Sequence, residues 1–192
     1  MTELPVLIAG GGIAGLAAAL GLARQGQRVR LFEQAAAFAE IGAGLQMSPN
    51  GVRVLRALGA WEQIETSCVI PSEIHVRDGG SGALLQRIRL GRPFEERFGA
   101  PYRVCHRADL LTGLLAATRS SAEIETMTGQ TVETAADTQT GVRLDLSGGR
   151  TIEGTALIAA DGIRSRLRAA IAGEAPPAGH GIALYRGLIA FA

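Results

Sequence analysis

From Leu4 to Ala23 the chain runs for twenty positions without a charged side chain, the nominal length of a membrane span. Pro5 and the glycines at 10, 11, 12, 15 and 21 break that run into pieces unsuited to one continuous apolar helix. A secretory leader would open on a basic residue, whereas the first charge here is Glu3. The pattern predicts instead a buried strand over Leu4–Ala9, a glycine turn and a buried helix over Ala14–Gln25. Leu16, Ala19, Leu20 and Leu22 share the sheet-facing side of that helix, and Gly26 stops it. A second strand follows over Arg28–Glu33, with Val29 and Leu31 inward.

Farther along, Phe38–Gln46 reads as a loop rich in glycine. Ser48 stands at an N-cap position with Pro49 first in the helix, which runs to Leu58 on Val52, Leu55 and Leu58 and ends at Gly59. Strands are predicted over Glu73–Val76 and Leu84–Leu90, parted by a turn at Asp78–Gly82. A helix opens at Arg107 and reaches Thr118, with Leu110, Leu111, Leu114 and Leu115 as its stripe. Three short strands follow, over Thr131–Thr134, Val142–Leu146 and Thr151–Glu153, with Gly148-Gly149 turning the last pair. Ala156–Ala160 is an apolar strand ending in Asp161-Gly162, where ligands bind in open parallel sheets. Ile163–Ala170 then reads as a helix on which at least two of Arg164, Arg166 and Arg168 form a solvated face. Residues 174–181 form a linker, and the last eleven residues begin a new apolar strand. The fold class expected is α/β, with a β-meander inserted into a parallel-sheet domain.

Composition narrows the function classes. The chain has 192 residues, and its 19 basic and 18 acidic side chains leave a formal charge of +1, which argues against nucleic-acid binding. Aromatic residues make up 4%, too few for a base-stacking platform. All basic residues are arginine. Glycine reaches 26 without a Gly-X-Y period, so glycine-dependent loops explain it better than collagen. Cys68 and Cys105 form no C-x-x-C pair, and His75, His106 and His180 lack metal-ligand spacing, so no metal site is expected. Two such cysteines fit a reducing, cytoplasmic compartment.

The candidate chemistry lies in the opening unit. Gly10, Gly12 and Gly15 spell G-x-G-x-x-G between a strand and a helix, and Glu33 ends the second strand 18 residues beyond Gly15. Gly10 permits the tight turn, Gly12 lets a pyrophosphate approach the backbone, and Gly15 lets helix and strand pack closely. The helix N-terminus offers N–H groups to the phosphates. Glu33 can accept hydrogen bonds from a ribose hydroxyl pair. These residues point to an ADP-containing dinucleotide without choosing between NAD and FAD.

Four motifs in order carry a resemblance along the whole chain: the fingerprint ending at Glu33, "EIGAGLQMSPNGVRVLRALG" from Glu40 to Gly59, "HRADL" from His106 to Leu110, and "LIAADGIRSRLR" from Leu157 to Arg168. Together they resemble the single-component FAD-dependent aromatic hydroxylases of the salicylate hydroxylase and 3-hydroxybenzoate 6-hydroxylase kind. The stretch "LGRPFEERFGAPY" is most similar to the second of these. The resemblance implies a Rossmann-like, glutathione-reductase-like FAD domain over residues 1–175. A linker and the first strand of a substrate domain, "LYRG" included, would occupy 176–192. It implies cofactor contacts from Gly10, Gly12, Ala14 and Gly15, from Glu33 and Gln34 at the ribose, and from Leu45 and Gln46 along the flavin. Arg107 would reach the pyrophosphate, backbone near Val132 the adenine, and Asp161 the loops around the diphosphate. FAD would be the cofactor and NADH or NADPH the co-substrate, with a small phenolic carboxylate and O2 as reactants and a homo-oligomer as a possible assembly.

Family members are longer and carry a later "GDAAH"-like segment and a substrate domain. The expectation is therefore an N-terminal fragment or a shortened reading frame that binds FAD weakly and does not hydroxylate, with no catalytic residue of its own. Two other classes compete: an NAD-dependent dehydrogenase using the same fingerprint, and an inactive nucleotide-binding fragment. An epoxidase or reductase of the same fold is a further option among flavoproteins.

Overall fold

The computed structural model describes residues 4–38, 44–173, 179 and 181–183. Among the described residues, those up to 38 and those from 114 onward form one compact unit and those from 44 to 113 a second.

In chain order the elements are β1 (Val6–Ala9), α1 (Ile13–Ala23), β2 (Val29–Glu33), β3 (Gly44–Met47), α2 (Pro49–Ala57) and α3 (Trp61–Ile64). Next come β4 (Glu73–Arg77), β5 (Leu84–Arg89), α4 (Arg92–Phe98), β6 (Arg103–His106) and α5 (Arg107–Arg119). The last are β7 (Ile124–Thr128), β8 (Val132–Thr138), β9 (Gly141–Leu146), β10 (Arg150–Gly154), β11 (Ala156–Ala159) and α6 (Leu167–Ala172).

The first unit is built on a parallel sheet in the order β11-β1-β2-β7. All of β1 is buried, because this central strand is covered on both faces. Leu7 and Phe32 pack on one face against Val142, Leu144 and Leu146 of the antiparallel meander β10-β9-β8. On the other face, Gly15 of α1 lies against Ile8. Val6 pairs with Ala156 and Ala9 with Ala159, so β11 ends level with β1 and delivers Asp161 to the glycine turn. Glu33 likewise ends β2 beside Thr128 of β7.

The second unit has no comparable sheet among the described residues. β3 pairs antiparallel with β6, and β4 with β5. Val52, Leu55, Trp61 and Ile64 are buried between its short helices. Gly113 sits where a Cβ would overlap Ile64.

Several expectations need correction. The stretch read as a loop up to Gln46 contains β3, which exists because β6 supplies its partner; positions 39–43 lie outside the described residues. Ser48 holds the N-cap position, but its hydroxyl bonds the Asn50 side chain and no backbone N–H of the helix. Elements α3, α4, β6 and β7 were not anticipated. The helix expected from Ile163 begins only at Leu167. Gly162 takes φ +84°, a left-handed conformation that interrupts helix entry, and the Asp161 carboxylate instead accepts the N–H groups of Arg166 and Leu167. The linker over 174–181 and the closing apolar strand fall mostly or wholly outside the described residues.

Candidate functional site

The glycine turn is fixed by contact with its neighbours. Gly10 has φ +106°, and a Cβ there would overlap the carbonyl of Ala160 at the end of β11. A Cβ on Gly15 would overlap the carbonyl oxygen of Gly10, so the helix can reach the strand only with glycine at this position. Gly12 differs: its backbone is ordinary extended chain and nothing stands within 4 Å of a Cβ there. No side chain caps α1, and its first turn carries no acid. The positive end of the helix dipole is thus left to whatever occupies that space.

Glu33 is positioned by backbone donors. Its Oε2 accepts the N–H of Gly11 at 2.8 Å and its Oε1 the N–H of Ala35 at 2.8 Å. The carboxylate therefore has one fixed orientation, with lone pairs left over on each oxygen for further donors. Its own main-chain carbonyl accepts the N–H of Gln130 at 2.9 Å, which ties the end of β2 to the segment after β7.

These groups surround one cavity of about 440 Å³, within the range of small-molecule clefts. Gly10, Gly12, Glu33 and Gln34 form one wall, Gln130, Thr131 and Val132 another, and Asp161, Gly162, Arg164 and Arg166 a third. Five groups that the sequence pointed to thus converge: the glycine turn, Glu33, Gln34, Val132 and Asp161. Ala14 and Gly15 stand in the first turn of α1 beside it. Leu45, Gln46 and Arg107 belong to the second unit. There Leu45 pairs with Cys105 and Gly44 with His106, so β3 lies next to the strand that leads into Arg107.

Three contributors were missed. Arg164 and Arg166 are exposed, as expected for at least two of the three arginines, but they stand on a turn instead of a helix and line the cavity, because the Asp161 carboxylate holds their segment. Arg168 closes that turn by donating to the carbonyls of Gly162 and Ile163 at 3.0 and 2.9 Å. The third is Gln130: its Oε1 is buried without a hydrogen-bond partner while its Nε2 donates to Gly129 O at 3.0 Å. A buried acceptor left unpaired is costly. Spacing of the D-G-x-x-S type signals the first two; nothing in the sequence signals Gln130.

Comparison with known proteins decides the cofactor class. Residues 3–182 match the family described as FAD binding domain. The chain belongs to that FAD-binding family. The 3-hydroxybenzoate 6-hydroxylase of Polaromonas naphthalenivorans (strain CJ2) is 40% identical over 173 residues, covering 90% of this chain and 43% of the relative. The crystal structure of Klebsiella pneumoniae HpxO complexed with FAD and uric acid aligns with TM-score 0.78 at 30% identity, over 91% of this chain and 43% of that one. The tetrameric form of 2-methyl-3-hydroxypyridine-5-carboxylic acid oxygenase aligns with TM-score 0.76 at 27% identity, over 90% and 43%. The chain thus spans less than half the length of these flavoprotein monooxygenases and relatives.

The residues present fit the FAD of this family. Open space at Gly12, an uncapped helix start and a carboxylate fixed at a strand end are what an adenine dinucleotide would fill. Among the described residues no helix is long and apolar enough to cross a membrane, and no group of three or more His, Cys, Asp or Glu could hold a metal ion.

Proposed function

We propose that this chain is the cofactor-binding part of an NAD(P)H-using monooxygenase that hydroxylates a phenolic carboxylate of the 3-hydroxybenzoate kind. The observation that carries the reading is the Glu33 carboxylate, held by Gly11 and Ala35 at the rim of a cavity whose floor is the glycine turn. In this reading Glu33 accepts the ribose hydroxyls of FAD, and the open face at Gly12 with the start of α1 takes the diphosphate. Arg164 and Arg166 add charge-assisted contacts to the same diphosphate. The backbone at Val132 meets the adenine. Leu45, Gln46 and Arg107 take the flavin and pyrophosphate roles that the resemblance implies. Bound flavin supplies the redox chemistry by which O2 is used on the ring. The protein's share here is to bind, to orient and to keep water from the diphosphate; no residue of this chain is assigned to the ring-oxidation step. Residues 1–175 would form the FAD domain and 176–192 the start of a substrate domain.

Equilibrium titration of the purified chain with FAD and with NAD tests this reading. Saturable one-to-one quenching of flavin fluorescence is expected, with FAD favoured over NAD. Glu33→Ala should weaken FAD by about 10- to 100-fold through loss of charged hydrogen bonds. Preference for NAD, or an unchanged FAD affinity in Glu33→Ala, would overturn it.

A further inference from the structure

The second unit brings its two cysteines together across a strand pair. Val69 and Val104 form an isolated antiparallel bridge, with Val69 N–H donating to Val104 O at 2.7 Å and Val104 N–H to Val69 O at 3.0 Å. Because this pair exchanges both hydrogen bonds, the next pair outward, Cys68 and Cys105, is a non-hydrogen-bonded pair directly opposed on one face. Such pairs bring Cα atoms to about 4.5 Å, inside the range a disulfide spans, about 4.4–6.8 Å. Both cysteines are free; the Cys68 S–H donates to Ile64 O at 3.3 Å, and each thiol lies close enough to perturb the ionisation of the other. On the strand's other edge Cys105 pairs with Leu45, so β6 stands between the Cys68 segment and β3.

We propose that Cys68 and Cys105 are a dithiol modification site that a peroxide oxidises to an intramolecular cross-strand disulfide. The two thiols differ in a way that sets the order of events. Burial pushes the Cys105 thiol up to about 12. Cys68 is half-buried and is also raised by burial, but the Cys105 S–H and the Arg103 guanidinium pull it back toward ionisation, while Glu65 and Asp109 oppose them. Cys68, half-buried where Cys105 is only 3% exposed, is the thiol that peroxide reaches first and therefore the nucleophile. Its thiolate attacks one oxygen of hydrogen peroxide; the O–O bond breaks, hydroxide leaves and takes up the proton that the thiol had released to become water, and Cys68 becomes a sulfenic acid. Cys105 sulfur then attacks that sulfur, the S–S bond forms, the S–O bond breaks, and the Cys105 proton leaves with the oxygen as a second water. Two thiols lose two electrons and one peroxide becomes two waters. The product ties β6 covalently to the segment that precedes β4.

The test is oxidation of the dilute, reductant-free chain with hydrogen peroxide, followed by alkylation, digestion and mass spectrometry. The expected product is a Cys68 peptide joined to a Cys105 peptide, lighter by two hydrogens, formed in a yield independent of protein concentration. It should form faster at higher pH, revert with dithiothreitol, and raise Tm by about 10 °C by closing a long loop. Two alkylatable thiols, bridges between chains alone, or a Cys68 sulfinic acid beside a free Cys105 would each overturn the proposal. In Cys68→Ser, Cys105 should resist the same treatment; its rapid oxidation there would overturn the assigned order.

Discussion

Around the cavity of the first unit, backbone groups do the positioning. Gly10 is wedged against β11, Gly15 against Gly10, and Glu33 hangs from two N–H groups. In the second unit, side chains do more of that work on two-stranded sheets. Glu73 of β4 gathers His75 at 2.8 Å and Arg87 at 3.2 Å, and Asp78 closes the hairpin by accepting from Gly80 and Ser81. Backbone-built geometry tolerates almost no substitution at its contact points. Geometry built by solvated side chains tolerates most of them and responds to pH instead.

The largest way to break this contrast is Gly10→Ala. It forces an alanine into φ +106° and into the Ala160 carbonyl, and should cost about 3–5 kcal/mol from strain and overlap together, seen as a lower urea midpoint. A loss below about 1 kcal/mol would show that the turn is not held as described. Asp161→Ala is next. It removes the acceptor for Arg166 and Leu167 N–H and should cost about 1 kcal/mol, as a lost helix cap does. It should also weaken FAD, since Arg164 and Arg166 lose their fixed turn; thermal melts and flavin titration read the two effects separately. An unchanged melt would contradict the capping role.

The smallest effect belongs to the hairpin. The His75 hydrogen bond, followed by Arg87, holds the Glu73 carboxyl below the usual carboxylate range. Its contribution is therefore present above the ordinary carboxylate value and fades as pH falls through the lowered folded value. Melting the protein and Glu73→Gln side by side should show a small gap at neutral pH that closes in acid. A gap that widened in acid would have the wrong sign.

The same contrast explains what was legible in the sequence. β1, α1 and β2 are apolar runs punctuated by glycines, and the stripe of α5 repeats at helical spacing; local pattern alone defines them. β7 reads I-E-T-M-T, and Glu125 within it serves an exposed ion pair with Arg30. Only its register with β2 makes it a sheet strand. β3 is four residues long and is defined by β6, itself unremarkable in sequence. At the site, residues whose task is local conformation were readable: Gly10, Gly12, Gly15, Glu33 and Asp161. Arg164 and Arg166 were placed on a helix because helical periodicity ignores a capping carboxylate three and five residues earlier. Gln130 was invisible because its place depends on a hydrogen bond to the end of β2, nearly a hundred residues away in sequence.

The account rests on Gly12 being kept small for a ligand and not for the fold. Gly12→Val tests this most directly, by flavin titration and a thermal melt on one preparation. The backbone there is ordinary and a Cβ meets nothing. Stability should therefore fall by about 1 kcal/mol or less, while FAD affinity falls about ten-fold or more. A variant that binds FAD as tightly as the parent would contradict the placement of the diphosphate over the glycine turn.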